Sequence, residues 1–485
     1  MKQQIIRYWG RKPKDLANRY IQLYSRPNDI VADLFGGTGV FVQSALELGR
    51  RAIYIDLNPF AELIARVLIT GCNTTEFRNA AQKILAKEKI FIKLNGNKTA
   101  INPRALFFVK CDCGEEIEAK SVTFTRFYQV GKVLPRQLKG NRGKIYRTIY
   151  DNGIISHETL LEIHRDIKTQ SLSNALKHLI KEKLINEEAR PITAHLLRPC
   201  RCGLTKLSFS QSNIWVVEGN IKPAYWYPKT SLDYGKGMPF LKKRDVSQVD
   251  ELFLDRSIAI LSAIWHEILL SNVSKKTKDC LKLTFMATLA RSSKMCRSSG
   301  GTWPINSYWV PRIFVVKNPY VAFENAVKRM IRYLENSHKF KCGSIKEVIQ
   351  NHANVAFKVE DSTKISLPRN SIDYVIIDPP HTDETQFFEL SLFYTSWLRK
   401  KLDFEGEVVI NKNQGKTLED YMDKLKKVSK KVYAILKKEK FFTIVLHEED
   451  KKILNQCVRI ICHTGFKLAS KEQVDEYQVY TFKKI

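Results

Sequence analysis

The sequence predicts an α/β protein built on a doubly wound parallel sheet, and three observations carry that prediction. Near the start, a short apolar run meets a glycine-rich turn, a helical run and a second apolar run, the opening of a strand–helix–strand unit. Far downstream, Ile372–Ile377 is an apolar run closed by Asp378-Pro379-Pro380, the pattern of a buried strand in the middle of a sheet. Between them, residues 105–215 break the alternation, which marks an insertion.

The elements follow in order. Asp15–Tyr24 carries Leu16, Tyr20, Ile21 and Leu23 at helical spacing. Asp29–Leu34 reads as a strand running into Gly36, Gly37 and Gly39, and Val40–Leu48 as a helix stopped by Gly49. Arg51–Ile55 is a second strand closed by Asp56, and Pro59–Thr70 a further helix. In the insertion, Lys144–Tyr150, Ser156–Ile167 and Ser171–Lys183 are expected helices, the last two capped by Ser156 and Ser171. Leu160, Ile163, Ile167, Leu172, Leu176, Leu179 and Leu184 would share a small core, an arrangement resembling a winged helix. Two more helices are expected at Val249–Leu270 and Lys275–Ser293, then an ordered loop at Ser298–Pro311. Lys424–Lys440 reads as a basic amphipathic helix and Phe441–Leu446 as a strand. The chain thus divides into a first core segment (1–104), an insertion with two cysteine pairs (105–215), a helical, target-recognition region (216–345) and a second core segment (346–485).

With 485 residues, 44% of them hydrophobic, the chain can bury more than one ordinary core. A net charge of +30 attracts a polyanion, nucleic acid being the commonest, although a lysine-rich composition alone would give the same excess. Neither a transmembrane run nor a signal-peptide pattern is evident, so a cytoplasmic protein without a membrane partner is expected. Six of the ten cysteines are scattered and read as small buried hydrophobes. The other four form near-copies, Cys111-Asp112-Cys113-Gly114 and Cys200-Arg201-Cys202-Gly203. Four thiolates suit tetrahedral zinc in a structural site with no open position; four reduced, unligated thiols are the alternative.

Two motifs carry chemistry. In Asp33-Leu34-Phe35-Gly36-Gly37-Thr38-Gly39 the glycines allow a sharp turn and a close backbone approach to a ligand. Asp56 then places a carboxylate at the tip of the next strand, where it can accept hydrogen bonds from both ribose hydroxyls of a nucleoside. No Gly-Lys-Ser/Thr grips a triphosphate, so a nucleoside cofactor is the better reading; alone, Asp56 would equally suit a helix cap. In Asp378-Pro379-Pro380-His381 the prolines end the strand and stiffen the turn, leaving the Pro379 carbonyl free beside the Asp378 carboxylate. Two acceptors suit an amino group with two hydrogens, and His381 supplies a ring that can stack on a base; a plain strand-ending turn is the alternative.

Together these motifs resemble the amino-methyltransferase superfamily that acts on adenine N6 or cytosine N4 in DNA. Tyr8-Trp9-Gly10-Arg11-Lys12-Pro13 is similar to the family's segment before the cofactor loop, Asp33 to Gly39 to that loop, and Asp56 to its ribose-binding acid, followed by Asn58-Pro59. Glu360-Asp361-Ser362 resembles the acidic position that meets the cofactor's adenine, and Asp378 to His381 the catalytic motif, with His in place of the usual Tyr, Phe or Trp. Glu389-Leu390-Ser391-Leu392 and Trp397 resemble a subgroup with a long middle insertion. The resemblance implies a Rossmann-like class I core and S-adenosylmethionine as cofactor, bound by Lys12, Pro13, Asp33, Phe35, Gly36, Gly37, Gly39, Asp56, Asn58, Pro59, Asp361 and Ser362. It implies catalysis by Asp378, Pro379, Pro380 and His381 on a base flipped out of DNA, with Asp favouring adenine N6 over cytosine N4. Other subunits of a restriction–modification or defence system would be natural partners.

An RNA base methyltransferase would share the fold and both motifs, and a DNA-binding scaffold with a degenerate site is the non-enzymatic alternative. Between the cysteine pairs, Lys144, Arg147, Lys168, Lys177, His178, Lys181 and Lys183 would let Ser171–Lys183 enter a major groove, or form a solvated face. Tyr225, Trp226, Tyr227, Trp303 and Trp309 are expected to pack rather than stack on bases, and Lys424, Lys426, Lys427, Lys430 and Lys431 to form a solvated helix face.

Overall fold

The computed structural model describes all residues except 1–4, 7, 11, 134, 136–137, 210–214, 236, 242–245, 298–307 and 381–384. His381, Arg11 and Trp303 therefore lie outside the described residues, as does most of the expected loop 298–311.

Seven strands form the central sheet: β1 (Ile30–Asp33), β2 (Arg51–Asp56), β3 (Val355–Val359), β4 (Ile372–Ile377), β5 (Leu436–Leu446), β6 (Phe466–Val474) and β7 (Tyr477–Lys484). Their order is β3-β2-β1-β4-β5-β7-β6. β1 to β5 are mutually parallel, and β7 runs antiparallel to both of its neighbours. The chain winds outward from β1 to β3, then returns to start the other half at β4. That reversal opens a crevice at the carboxyl ends of β1 and β4, where open α/β sheets bind ligands.

Among the helices of this core are α1 (Lys14–Tyr24), α2 (Val40–Glu47), α3 (Pro59–Thr70), α4 (Phe387–Thr395), α5 (Leu418–Ile435) and α6 (Lys451–Cys462). Side-chain alternation along β4 serves both faces. Tyr374 and Ile376 pack with α1 and α2 through Leu16, Tyr20, Phe41 and Val42. Ile372, Val375 and Ile377 pack with α5 and α6 through Leu425, Val432, Leu454 and Ile461. A strand buried on both sides needs an unbroken apolar run, which is why β4 is evident in the sequence.

One core boundary differs from expectation. α5 starts at a Thr417–Asp420 capping box and ends at Ile435, so the helix expected at Lys424–Lys440 begins earlier and stops sooner. Leu436 already pairs with Ile372, and the register shifts before Tyr374 meets Phe441. The pull of the sheet ends the helix.

Residues 71–354 separate α3 from β3. Helices Thr74–Leu85, Asp255–Leu270, Lys275–Ser292 and Pro319–Asn336 share one apolar cluster with α3 and α4. That cluster draws residues from all four expected segments, from Phe60 and Phe107 to Trp265 and Phe393. A long antiparallel ribbon, Glu116–Val130 against Ile185–Leu196, projects from it.

At one end of the ribbon lie helices Gly140–Asn152, His157–Ile163 and Thr169–Lys181, with strand Ile154–Ser156 paired to Phe127–Gln129. Leu160, Ile167, Leu172, Leu176, Leu179 and Leu184 form the expected shared core with Tyr128, Ile145 and Ile149. Ile163 does not join it and is 49% exposed. Ser156 is an N-cap, its Oγ accepting from Thr159 N at 3.1 Å. Ser171 is not: the third helix already starts at Thr169 behind Lys168, because buried Ile167 anchors the turn two residues earlier than expected. The second helix stops at Ile163 rather than Ile167, and the buried His164 that follows shares a hydrogen bond with Thr148 Oγ1 at 2.9 Å. Among the described residues, no helix is long and apolar enough to cross a membrane.

Candidate active site

A cleft opens at the carboxyl edge of β1, β2 and β4, and Asp33, Asp56 and Asp378 all line it. The loop after β1 is shaped by a tyrosine. Gly36 N donates to Ile55 O at 2.9 Å, and Tyr54 OH donates to Gly37 O at 2.7 Å. A Cβ on Gly36 would lie 2.2 Å from the Tyr54 ring, so no larger residue fits there without displacing that ring. Gly39 caps α2 at φ +80°, a conformation that glycine adopts at little cost.

Three carboxylates end up half-buried or buried around this loop. Asp33 Oδ1 accepts from Phe35 N at 3.0 Å, and burial, with the nearby charges of Asp56 and Asp378, holds its carboxyl well above the usual range. Asp56 accepts from Gly37 N and from Asn58 N, each at 2.7 Å, and burial raises it to about 6. Asn58 caps α3 through Phe60 N at 3.0 Å and donates to Ser391 Oγ at 2.6 Å, with Pro59 at the first helical position.

Asp378 is pushed up to about 6 by burial, against the pull of Lys12. Lys12 Nζ lies 2.8 Å from Asp378 Oδ2 and 4.7 Å from the centre of the Tyr477 ring. Asp378 Oδ1 is buried and meets no donor among the described residues. Tyr421 OH donates to Pro380 O at 3.3 Å, whereas no described residue donates to Pro379 O. Two neighbouring acceptors, one charged and one neutral, are thus available on one wall of the cleft.

Of the other residues expected to hold a cofactor, Lys12, Phe35, Gly36, Gly37, Asn58 and Ser362 line the cleft. Pro13, Gly39 and Pro59 sit behind it as helix caps or first-turn residues of α1, α2 and α3. Asp361 is not on the cleft wall. Its Oδ1 accepts from Thr363 N and Thr363 Oγ1, both at 2.8 Å, and Lys364 Nζ lies 3.0 Å away. Its neighbour Ser362 faces the cleft and hydrogen-bonds the Leu34 carbonyl.

Among the cleft residues that sequence reasoning missed are Phe387, Phe388 and Glu407. Phe387 stacks on Tyr8 with ring centroids 6.1 Å apart. Glu407 is buried, accepts from Phe388 N at 3.1 Å, and is raised to about 7 chiefly by burial, with Lys416 opposing. No motif surrounds it; only the fold brings it to the cleft.

Outside the cleft lining, the four paired cysteines converge. Their sulfurs all lie within 4.8 Å of one another, with Cys111 3.7 Å from Cys200 and 3.6 Å from Cys202. The two turns are near-copies in structure as well: Gly114 and Gly203 take φ +82° and +83°, each donating to the carbonyl of the first cysteine at 2.8 Å. Tyr225 and Tyr227 pack against the large apolar cluster as expected; Trp226 is 40% exposed with Arg399 stacked 3.9 Å from its ring.

Residues 2–66 match the sequence profile of the N6/N4 DNA methylase family. No curated protein matches the chain. Among solved structures, a Pyrococcus horikoshii protein shares 14% identity over 31% of this chain and 74% of its own, with a TM-score of 0.18. A Thermus thermophilus protein described as a DNA modification methylase shares 15% over 26% of this chain and 52% of its own, TM-score 0.17. A SAM-dependent methyltransferase of Methanosarcina mazei shares 11% over 30% and 80%, TM-score 0.16. TM-scores this low carry no weight for fold or activity.

Proposed function

We propose that the cleft transfers a methyl group from S-adenosylmethionine to the exocyclic amine of a base extruded from DNA, with adenine N6 favoured over cytosine N4. The observation that carries this reading is the convergence of Asp33, Asp56 and Asp378 on one cleft, from strands that are far apart in the chain. The match of residues 2–66 to the DNA methylase family supports it. In this reading residues 1–104 and 346–485 supply the catalytic core, 105–215 the zinc-bearing insertion and 216–345 the target-recognition region.

The residues present fit the cofactor. The open face of Gly37 admits a ligand against the backbone, and each Asp56 oxygen, taking one backbone N–H, keeps a lone pair for a ribose hydroxyl. When bound, S-adenosylmethionine supplies an electrophilic methyl group. The chain's task is then to position the amine. Asp378 Oδ1 and the Pro379 carbonyl accept its two hydrogens and aim the nitrogen lone pair. Lys12 favours the ionised form of Asp378 and fixes Oδ2. Extrusion of the base costs a few kcal/mol, offset by these contacts and by the aromatic wall of Tyr8 and Phe387. Most of the acceleration comes from orientation and exclusion of water.

The four cysteines suit zinc. With Zn–S near ~2.3 Å, a tetrahedral site sets its sulfurs roughly 3.8 Å apart; Cys111 meets this at 3.6 and 3.7 Å from its partners, while Cys200 and Cys202, 2.7 Å apart, would have to open to admit the ion. The ion would staple two hairpin tips and take no part in transfer.

The test is transfer of labelled methyl from S-adenosylmethionine to unmethylated DNA, with matched RNA alongside. Labelled N6-methyladenine in DNA is the expected product. Asp378→Ala should abolish it while circular dichroism and melting stay those of the parent. Near-parental transfer by that folded variant, or transfer confined to RNA, overturns the reading.

A further inference from the structure

We propose that Thr169–Lys181 is the reading helix of a second DNA contact, lying in the major groove of duplex DNA while the cleft handles the extruded base. The inference goes beyond the catalytic reading, because it requires duplex binding and not methyl transfer.

The packing comes first. His157–Ile163 and Thr169–Lys181 are joined by a short turn and seated on a common core with Gly140–Asn152. This is the order of a helix-turn-helix, whose second helix enters the groove. The ribbon strand Glu116–Val130 supports the unit through Ile154–Ser156, and the outward positions of Thr169–Lys181 are exposed.

The surface chemistry comes second. Thr169–Lys181 contains no Asp or Glu. Its inner face is Leu172, Ala175, Leu176 and Leu179, all buried. Gln170, Asn174, Lys177 and Lys181 are exposed and fall four, three and four positions apart, one stripe along the helix. Gln170 Nε2 donates to Asn174 Oδ1 at 3.2 Å, which sets the amides side by side. Asn and Gln pair with adenine N6 and N7, and Lys with guanine O6 and N7, in the major groove. Lys168 before the helix and Lys183 after it add exposed cations for flanking phosphates.

An internal control separates this stripe from an ordinary solvated face. α5 carries five lysines, all of them after Glu419, Asp420 and Asp423 in its first turns. There Lys427 pairs with Asp423 at 3.1 Å, and Lys431 donates to the Ile365 carbonyl at 3.1 Å. Lys424, Lys427 and Lys431 of α5 thus bond within the fold, whereas the exposed stripe of Thr169–Lys181 mixes amides with cations and holds no acid.

The experiment uses the full chain and a fluorescein-labelled, mixed-sequence duplex, followed by anisotropy across a salt series. Lys177→Gln/Lys181→Gln should weaken duplex binding and lower the slope of log affinity against log salt by about 2, roughly one per cation. Gln170→Ala/Asn174→Ala should keep that slope but lose preference among duplexes selected from a random pool. Cofactor binding and melting, measured on the same samples, should not move in either variant. Duplex binding is read without cofactor and methyl transfer in a separate assay, so failure of the catalytic reading is seen separately. Unchanged affinity and slope in the double-lysine variant overturns the proposal, as does preference of the parent for single strands or structured RNA over duplex.

Discussion

Asp33 and Asp378 belong to opposite ends of the chain and meet because β1 and β4 are neighbours in one sheet, with Val31 in register with Tyr374. Gln170, Asn174, Lys177 and Lys181 meet because they lie on one face of one helix. The two regions place their polar groups by different means, and the difference sets how each should respond to change. In the cleft each group is held by buried partners: Lys12 on Asp378, Gly37 and Asn58 on Asp56, Phe35 on Asp33. Removing one leaves others buried and unpaired, so effects should be large and not additive. On the helix stripe each group lies at the exposed surface, so effects should be modest.

The sharpest way to break this comparison is Asp378→Ala. It should lower the rate of methyl transfer at saturating cofactor by at least about a hundredfold, the scale of losing a preorganised partner of the reacting group, while the cofactor dissociation constant stays within a few-fold. A variant that loses both together would merge the two ends of the cleft into one binding unit. Gly36→Ala should come next. The added methyl would sit 2.2 Å from the Tyr54 ring, and overpacking of that kind costs about 1–3 kcal/mol. The cost should fall on cofactor affinity, measured by calorimetry, and the double variant with Tyr54→Ala should recover part of it.

The same contrast explains what the sequence disclosed. The loop after β1, the Asp56 strand tip and β4 were legible because each is a local pattern: glycines at a turn, an apolar run, prolines at a strand end. The small three-helix core of the insertion was legible because its leucines repeat at helical spacing; its edges moved, among them those at Ser171 and Ile163. The salt bridge from Lys12 to Asp378 was not legible, since nothing local ties residues 12 and 378. Glu407 was hidden for the same reason, lying in a loop without periodicity. Asp361 and Ser362 show the limit of a motif at single-residue scale: the acid drew the attention, but Thr363 and Lys364 occupy it, and the serine faces the cleft.

A pH profile probes the cleft with a smaller effect. Burial raises Asp378 to about 6, so the carboxylate that accepts the amine hydrogen forms as pH rises through that value. Single-turnover rates at saturating cofactor should therefore climb about tenfold per pH unit below about 6 and level off above it. Saturation matters because Asp56 titrates in the same range and acts on cofactor affinity instead. A flat profile between pH 5 and 8 would remove Asp378 from its acceptor role.

Zinc removal should touch the cleft least. The sulfurs of Cys111, Cys113, Cys200 and Cys202 join the tips of two hairpins, and Glu115 ties the tips further through Arg201 N at 2.6 Å and Arg198 at 2.7 Å. Cys111 and Cys200 also belong to the large apolar cluster that holds α3 and α4. Loss of a metal staple is a loss of folding free energy, so Cys200→Ser should lower the melting temperature and release one zinc per chain by elemental analysis. Because β1, β2 and β4 are packed by separate clusters on the two faces of the sheet, cofactor affinity of the protein that remains folded should stay within about twofold. A large loss of cofactor affinity at a temperature well below that transition would mean that the ribbon and the sheet act as one unit, and the distinction between the two regions would fall.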